Sequence, residues 1–360
     1  MKIYFVINAM SMGGAERVAS RLCNEWCKEN DVTIIQTSYT DATDYEIDKR
    51  INYINLCQEK RLSRFTLIKK MSVLFKDNRP DVVVSFIDTG HFYASIASKK
   101  HNIPHVCSER NDPKIVPHNI IMRFMRFFAF SRCNSIVFQT DFARRFFGKR
   151  IRKKGIVISN PIDASHIKHR SYENTLNSNT IIAVGRLVEQ KNYKLLIDAF
   201  CSFKNNSKYR LKIFGRGPLA EELNTYIKNK HQSNIELCGF SHSIEDDYYN
   251  ARIFAMSSTH EGLPNALMEA VASGLPCIST DASPGGPRTI ISKCHGSILV
   301  ENNNKDDFVK AFEKMDSNYA KMLKASMEDS CYFIKEYSSE TISRQWIELF
   351  KTLVSNKKSL

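Results

Sequence analysis

"HEGLPNALMEAVASGLP" (residues 260–276) places an acid, Glu269, inside the apolar run 266–272, eight positions after a second acid, Glu261, in a Gly-Pro loop. A core helix has no need of a carboxylate there, and burying one without a partner is costly. Either Glu269 lies on a thin polar stripe facing solvent, or a polar ligand comes to meet it.

The run IFAMSS (253–258) precedes the stretch and reads as a buried strand, so the order is strand, loop, helix. Gly262 permits close approach of a ligand, and Pro264 suits a first helical turn. The helix N-terminus would point its N–H groups at whatever Glu261 faces. One acid for sugar hydroxyls, N–H groups for phosphate and a second acid for ribose hydroxyls suit a nucleotide sugar. Glu269 would then stand among apolar residues because a ribose comes to it.

Outward from this stretch the same alternation recurs. KIYFVI (2–7), DVTIIQTS (31–38), YINL (53–56), DVVVSFI (81–87), IPHVCS (103–108), SIVFQT (135–140) and GIVISN (155–160) read as strands separated by helical segments. DVVVSFI is almost purely apolar, as strands of parallel sheets are. Asn160-Pro161-Ile162-Asp163 and the polar stretch after it read as a linker. The alternation then restarts at TIIAVGR, and 306–354 reads as helices. The chain of 360 residues is long for one core. The expectation is α/β with two Rossmann-like, doubly wound domains: 1–163, 164–340, and a C-terminal helix 341–360 that returns to the first domain.

In such sheets ligands sit at the carboxyl ends of strands. After TIIAVG come Arg186 and Lys191, a planar fork and a point charge that together suit a diphosphate. An ordinary solvated loop is the alternative. Gly215-Arg216-Gly217-Pro218 and Gly13-Gly14 follow other strands and either admit a ligand or only turn the chain. Glu109 and Arg110 follow IPHVCS, where they either contact a substrate or pair with each other to fix the loop. His91 follows DVVVSFI; a lone histidine there is more often structural.

These motifs, in this order and spacing, resemble glycosyltransferase family 4: Gly13-Gly14, Asn160-Pro161-Ile162-Asp163, Gly185-Arg186 with Glu189-Gln190-Lys191-Asn192, Gly215-x-Gly217-Pro218, and Glu261-x7-Glu269. The resemblance covers nearly the whole chain. It implies the GT-B fold, with two Rossmann-like domains facing across a cleft, donor in the second and acceptor in the first. Arg186 and Lys191 would then hold the donor diphosphate and stabilise departing UDP. Glu261 would contact the transferred sugar and Glu269 the ribose. Gly262, Leu263, Pro264 and Asn265 would line the sugar and phosphates, uracil would pack near Phe240 and Ile244, and Gly13 and Gly14 would approach from the first domain. Glu109 is a fourth catalytic candidate beside Glu261, Arg186 and Lys191; Arg110 and His91 are acceptor-side candidates. Many family members carry a histidine where this chain has Glu109-Arg110-Asn111, so no histidine role carries over to it. Ser108–Asp112 and Ser283–Arg288 are similar to a bacterial subgroup that transfers N-acetylgalactosamine or related hexoses in lipid-linked glycan assembly.

The activity so implied is a retaining transfer from a UDP-sugar, N-acetylgalactosamine first and galactose, glucose or N-acetylglucosamine next, to a polyprenyl-diphosphate-linked glycan. No metal or other cofactor is expected: no well-placed Asp-x-Asp follows a strand, and Asp246-Asp247 and Asp306-Asp307 read as solvated helix starts. A UDP-sugar epimerase and a non-catalytic binding module on the same fold are the rivals. The first would need acids and bases the chain does not offer, and the second is disfavoured by the intact cations and paired acids.

Charge is uneven. Residues 1–160 hold 27 Lys+Arg against 15 Asp+Glu, and residues 161–360 hold 25 against 23. The basic excess of the first half suits an anionic membrane surface, and 114–130 with 143–154 mixes basic and large apolar residues as interfacial segments do; a core helix with a solvated basic face followed by a basic loop is the alternative. Nucleic acid is the competing polyanion, but no reader motif is present. No apolar run reaches spanning length, and ten scattered cysteines suit reduced thiols. The expected location is cytoplasmic, peripheral on the inner face of the inner membrane.

Overall fold

The computed structural model describes residues 1–358 except 12, 41–44, 59, 169 and 242. The chain divides into two units, Met1–Pro161 with Ser339–Leu360, and Ile162–Ser338. Each is built on an all-parallel sheet.

In the first unit, β1 (Lys2–Ile7), β2 (Asp31–Gln36), β3 (Asn52–Asn55), β4 (Val82–Phe86), β5 (His105–Glu109), β6 (Ser135–Phe138) and β7 (Gly155–Val157) lie in the order β3-β2-β1-β4-β5-β6-β7. In the second, β8 (Thr180–Val184), β9 (Arg210–Phe214), β10 (Ile235–Gly239), β11 (Ile253–Met256), β12 (Cys277–Thr280) and β13 (Ile298–Val300) lie in the order β10-β9-β8-β11-β12-β13. Both are doubly wound: the chain builds outward from β1 or β8, then crosses to the other side at β4 or β11. Ile3 opposes both Val32 and Val82, and Ile181 opposes Ile253.

Every residue of β4 is buried, as its apolar run requires, yet Ser85 is polar. Its hydroxyl meets His91 Nδ1 at 2.8 Å and His105 Nε2 at 2.7 Å, so three buried polar groups satisfy one another. Burial holds both rings neutral: His105 is pushed down to about 3. His91 is pushed well below the usual range by burial first, then by His105, Arg126 and Arg110. The unfolded chain takes up protons below its ordinary histidine pKa of about 6.5, which the native rings refuse. Stability is therefore full above that value and falls as pH drops from it toward 3. Each histidine is expected to remove about 2 kcal/mol between pH 7 and pH 5. Urea unfolding across that range should show the loss, and His105→Gln should reduce it by about half; an unchanged midpoint in the wild type would mean the rings are not held neutral.

The last helix, Ser339–Lys358, belongs to the first unit. Trp346 and Phe350 meet Trp26 of the helix Gly14–Trp26 at 5.8 and 5.2 Å between ring centroids, and Trp346 also lies 6.1 Å from Phe86. The polar stretch after Asp163 is not a loose linker. Arg170 is 8% exposed and donates to the Tyr248 and Ala251 carbonyls, which pins the stretch to the second unit. No helix among the described residues is long and apolar enough to cross a membrane.

Candidate functional site

In the second sheet the strand order reverses between β8 and β11, and the loops leaving these two strands carry Lys191 and Glu261. Seventy residues separate them in sequence, yet Lys191 Nζ lies 2.5 Å from Glu261 Oε1. The Ser258 hydroxyl donates to the same oxygen at 2.8 Å. The two charged side chains are 15% and 10% exposed, so the pair sits in a shallow seat at the crevice where doubly wound sheets bind ligands.

Backbone contacts build this seat. After β8 the chain makes a short 3-10 turn, Glu189–Lys191, and Asn192 follows in the left-handed region at φ 47°. The Ser257 hydroxyl donates to the Lys191 carbonyl at 2.8 Å, Thr259 N to the Gln190 carbonyl at 2.8 Å, and Gln190 Nε2 to the His260 carbonyl at 2.6 Å. Glu261 N donates to the Ser283 carbonyl at 2.6 Å. The glycines are explained by crowding. A Cβ on Gly215, whose φ is 149°, would stand 1.9 Å from the Gly185 carbonyl oxygen, and one on Gly217 would stand 2.3 Å from that of Leu187. The Gly215-x-Gly217 motif therefore packs two loops backbone to backbone. A Cβ on Gly185 would meet Lys191 Cε at 2.9 Å and the Tyr193 hydroxyl at 3.0 Å, so this glycine leaves the lysine its path.

Arg186 is exposed, and its guanidinium makes no hydrogen bond or ion pair among the described residues. Gly262 and Leu263 lead to Pro264, which is the N-cap of the helix Asn265–Ala272 rather than a residue of its first turn. Glu269 lies one turn further along and is 9% exposed among the buried Met268, Ala270 and Val271, which rules out the solvent stripe. Phe240 is 43% exposed after β10, with the Arg216 guanidinium 5.4 Å from its ring, and Ile244 opens the next short helix. His242, between them, lies outside the described residues.

Sequence reasoning gave no role to three residues here: Ser258, Arg216 and Tyr193. The Tyr193 hydroxyl is buried without a hydrogen-bond partner among the described residues, and burial, then Glu261, pushes its pKa up. The signal available was position alone: Arg216 and Tyr193 stand beside residues already singled out, and Ser258 ends the run IFAMSS that leads to Glu261.

The first unit arranges its candidates differently. Gly13 is the extended N-cap of the helix that Gly14 opens, and the Tyr45 hydroxyl donates to the Gly13 carbonyl at 2.8 Å. Glu109 is 5% exposed and paired with Arg126 at 3.1 Å, and it accepts from the backbone N–H groups of Arg110 and Asn111. The mutual Glu109–Arg110 bridge is therefore corrected: the ion-pair partner is Arg126. Arg126 also donates to the Val116 and Pro113 carbonyls, so Glu109 anchors a loop. The Arg110 guanidinium lies 4.1 Å from the Phe86 ring and donates to Asn160 Oδ1 at 2.7 Å, while its Nε and Nη2 are buried without partners among the described residues. Burial pushes it down to about 9, opposed by Glu109. His91 is 1% exposed and bound to Ser85, so the ring expected at an acceptor is a packed, interior one. All ten cysteines are free thiols. Among the described residues no three His, Cys, Asp or Glu side chains gather as a metal site.

Comparison with known proteins divides the chain as its sheets do. The family model described as "Glycosyltransferase Family 4" matches residues 12–166, and that described as "Glycosyl transferases group 1" matches 165–329. A Campylobacter jejuni protein named GalNAc-alpha-(1->4)-GalNAc-alpha-(1->3)-diNAcBac-PP-undecaprenol alpha-1,4-N-acetyl-D-galactosaminyltransferase is 26% identical over 97% of this chain and 98% of its own. The amylovoran biosynthesis glycosyltransferase AmsD of Erwinia amylovora is 27% identical over 97% of this chain and 99% of its own. The Anabaena protein HepE, solved in complex with UDP, superposes with a TM-score of 0.80 at 15% identity, covering 98% of this chain and 100% of that one, a likeness of fold.

Proposed function

Since the chain belongs to glycosyltransferase family 4, with its two Rossmann-like domains in the GT-B class, we propose a specific reaction for it. The enzyme moves a hexose or N-acetylhexosamine, N-acetylgalactosamine first, from a UDP-sugar to a polyprenyl-diphosphate-linked glycan with retention, in bacterial polysaccharide synthesis. The observation that carries this is the Lys191–Glu261 seat at the switch point of the second sheet, ahead of the helix Asn265–Ala272. The relatives support it: the Campylobacter protein is named for transfer of N-acetylgalactosamine to an undecaprenyl-diphosphate glycan, and HepE, of the same fold, binds UDP.

In this reaction negative charge grows on the departing diphosphate. Lys191, Arg186 and the helix N-terminus meet that charge, and preorganised donors of this kind usually account for most of the rate enhancement in such sites. Glu261 holds hydroxyls of the transferred sugar and Glu269 those of the ribose. Phe240 and Ile244 flank uracil. The departing phosphate takes the acceptor's proton, so Glu109 acts by holding its loop in place and not as a base. No step needs a divalent cation.

The acceptor's lipid calls for a membrane surface, and one helix offers a face for it. In Ile120–Arg132, Met125, Arg126, Ala129 and Phe130 are buried. Ile120, Ile121, Phe124 and Phe127 are 80, 56, 65 and 58% exposed along the opposite side. Arg123 and Arg126 are turned onto carbonyls of the 113–117 loop and do not interrupt that stripe. The segment 141–154 beside it carries seven Lys/Arg against one Asp. Apolar stripe and basic flank together suit an anionic bilayer at its cytoplasmic face.

Purified protein given a panel of UDP-sugars and a polyprenyl-diphosphate glycan, with and without EDTA, tests the reaction. UDP release and α-linked transfer are expected with UDP-N-acetylgalactosamine, unchanged by EDTA. Release with another sugar alone would move the donor, and failure to bind UDP at all would sink the reading.

A further inference from the structure

Lys191 Nζ already has an anion against it. Glu261 Oε1 stands 2.5 Å away and also accepts from Ser258 at 2.8 Å, with both charged side chains at most 15% exposed. A phosphate that takes this lysine must displace a carboxylate, and the displaced carboxylate keeps only the Ser258 hydroxyl. A poorly hydrated acid that loses its cation costs free energy unless new donors reach it. The loop gives Glu261 little room to retreat. Its backbone N–H is bound to Ser283, and a Cβ on Gly286 would stand 2.0 Å from the Gly262 carbonyl oxygen, so the backbone on both sides of the acid is packed.

We propose that donor binding is an exchange of partners at Lys191: the diphosphate replaces Glu261 on the lysine, and hydroxyl donors of the sugar replace the lysine on Glu261. The proposal rests on the reading of this seat as the donor site. Its consequence is selectivity between substrate and product. UDP-sugar supplies both halves, an anion for the lysine and hydroxyls for the acid. UDP supplies only the first and leaves Glu261 short of donors, so the site is biased toward releasing the nucleotide once the sugar has gone. Arg186, exposed and without a counterion among the described residues, offers no such discrimination, because nothing has to leave it.

Calorimetric titration of UDP and of UDP-N-acetylgalactosamine into wild type, Glu261→Gln and Lys191→Ala tests this, with thermal melts to establish folding. Glutamine keeps the shape and removes the competing charge. UDP is expected to bind Glu261→Gln about tenfold tighter than wild type, the order expected when a charged hydrogen-bonding competitor is removed. UDP-N-acetylgalactosamine should gain less, so the preference for sugar-loaded donor narrows. Lys191→Ala should weaken both. If Lys191→Ala weakens UDP while Glu261→Gln leaves it unchanged or weaker, the exchange is wrong and the donor site stands. If Lys191→Ala leaves UDP binding untouched, the lysine does not meet the diphosphate, and both the exchange and the site reading fall.

Discussion

Lys191→Ala is expected to lower turnover on the order of 10²–10³-fold, the loss typical of removing one preorganised donor from the charge that develops in a transition state, and Glu261→Ala, which takes away the acceptor for the sugar's hydroxyls, is expected to lower it strongly as well. The folded state should persist in both. The 3-10 turn that carries Lys191 is held by its backbone, through Lys191 N on the Val188 carbonyl at 3.0 Å and the Ser257 hydroxyl on the Lys191 carbonyl at 2.8 Å. Neither bond uses the amine. Removing the lysine leaves Glu261 with the Ser258 hydroxyl, so some stability is lost but no core is opened. If the lysine acts as proposed, on the bound diphosphate and more strongly on the departing one, Lys191→Ala should raise KM for the donor and lower kcat. Lys191→Arg restores charge without the compact ammonium and should recover only part of the rate. Near-wild-type turnover in a well-folded Lys191→Ala enzyme would remove the site from contention.

The second large effect concerns the exposed stripe of the helix Ile120–Arg132. Replacing Phe124 and Phe127 by aspartate is expected to reduce binding to phosphatidylglycerol-containing vesicles on the order of a hundredfold or more, because burying each ring is worth about 1.5–3 kcal/mol. Both rings are more than half exposed, so the fold should not notice the change. Neutral vesicles or high salt should weaken the wild type separately, through the basic flank at 141–154. Flotation of both proteins with vesicles of the two compositions separates these contributions. Equal flotation of wild type and the double variant would show that the stripe does not enter lipid. A concentration-dependent dimer that the variant abolishes would assign the stripe to a second copy of the chain instead.

The two sheets were legible because their strands are short apolar runs broken by polar turns, and β4 is the clearest case. The neighbourhood of Glu261 was legible as well, since strand, Gly-Pro loop and helix follow one another without interruption. Long-range partners were not. Nothing in the local pattern tells Glu109 to choose Arg126 over its neighbour Arg110, because that choice depends on how the 113–117 loop folds back on a helix. His91 reads as a strand-end residue, while its hydrogen bond to Ser85 exists only once the strand and the following helix are packed. Arg123 and Arg126 break an apolar run in the sequence and yet point away from the exposed apolar stripe in space. A basic residue in a helix reports its own charge; the direction it faces is decided by carbonyls elsewhere.

The return of Ser339–Lys358 to the first unit also has a meaning for the order in which the molecule is made. Domains commonly fold as they leave the ribosome, the N-terminal one first. Here Trp26 is covered by Trp346 and Phe350, which are translated only after the entire second unit. The half of the protein made first is thus completed last: Trp26, 6.1 Å from Phe5, waits for its second cover through the synthesis of more than three hundred residues.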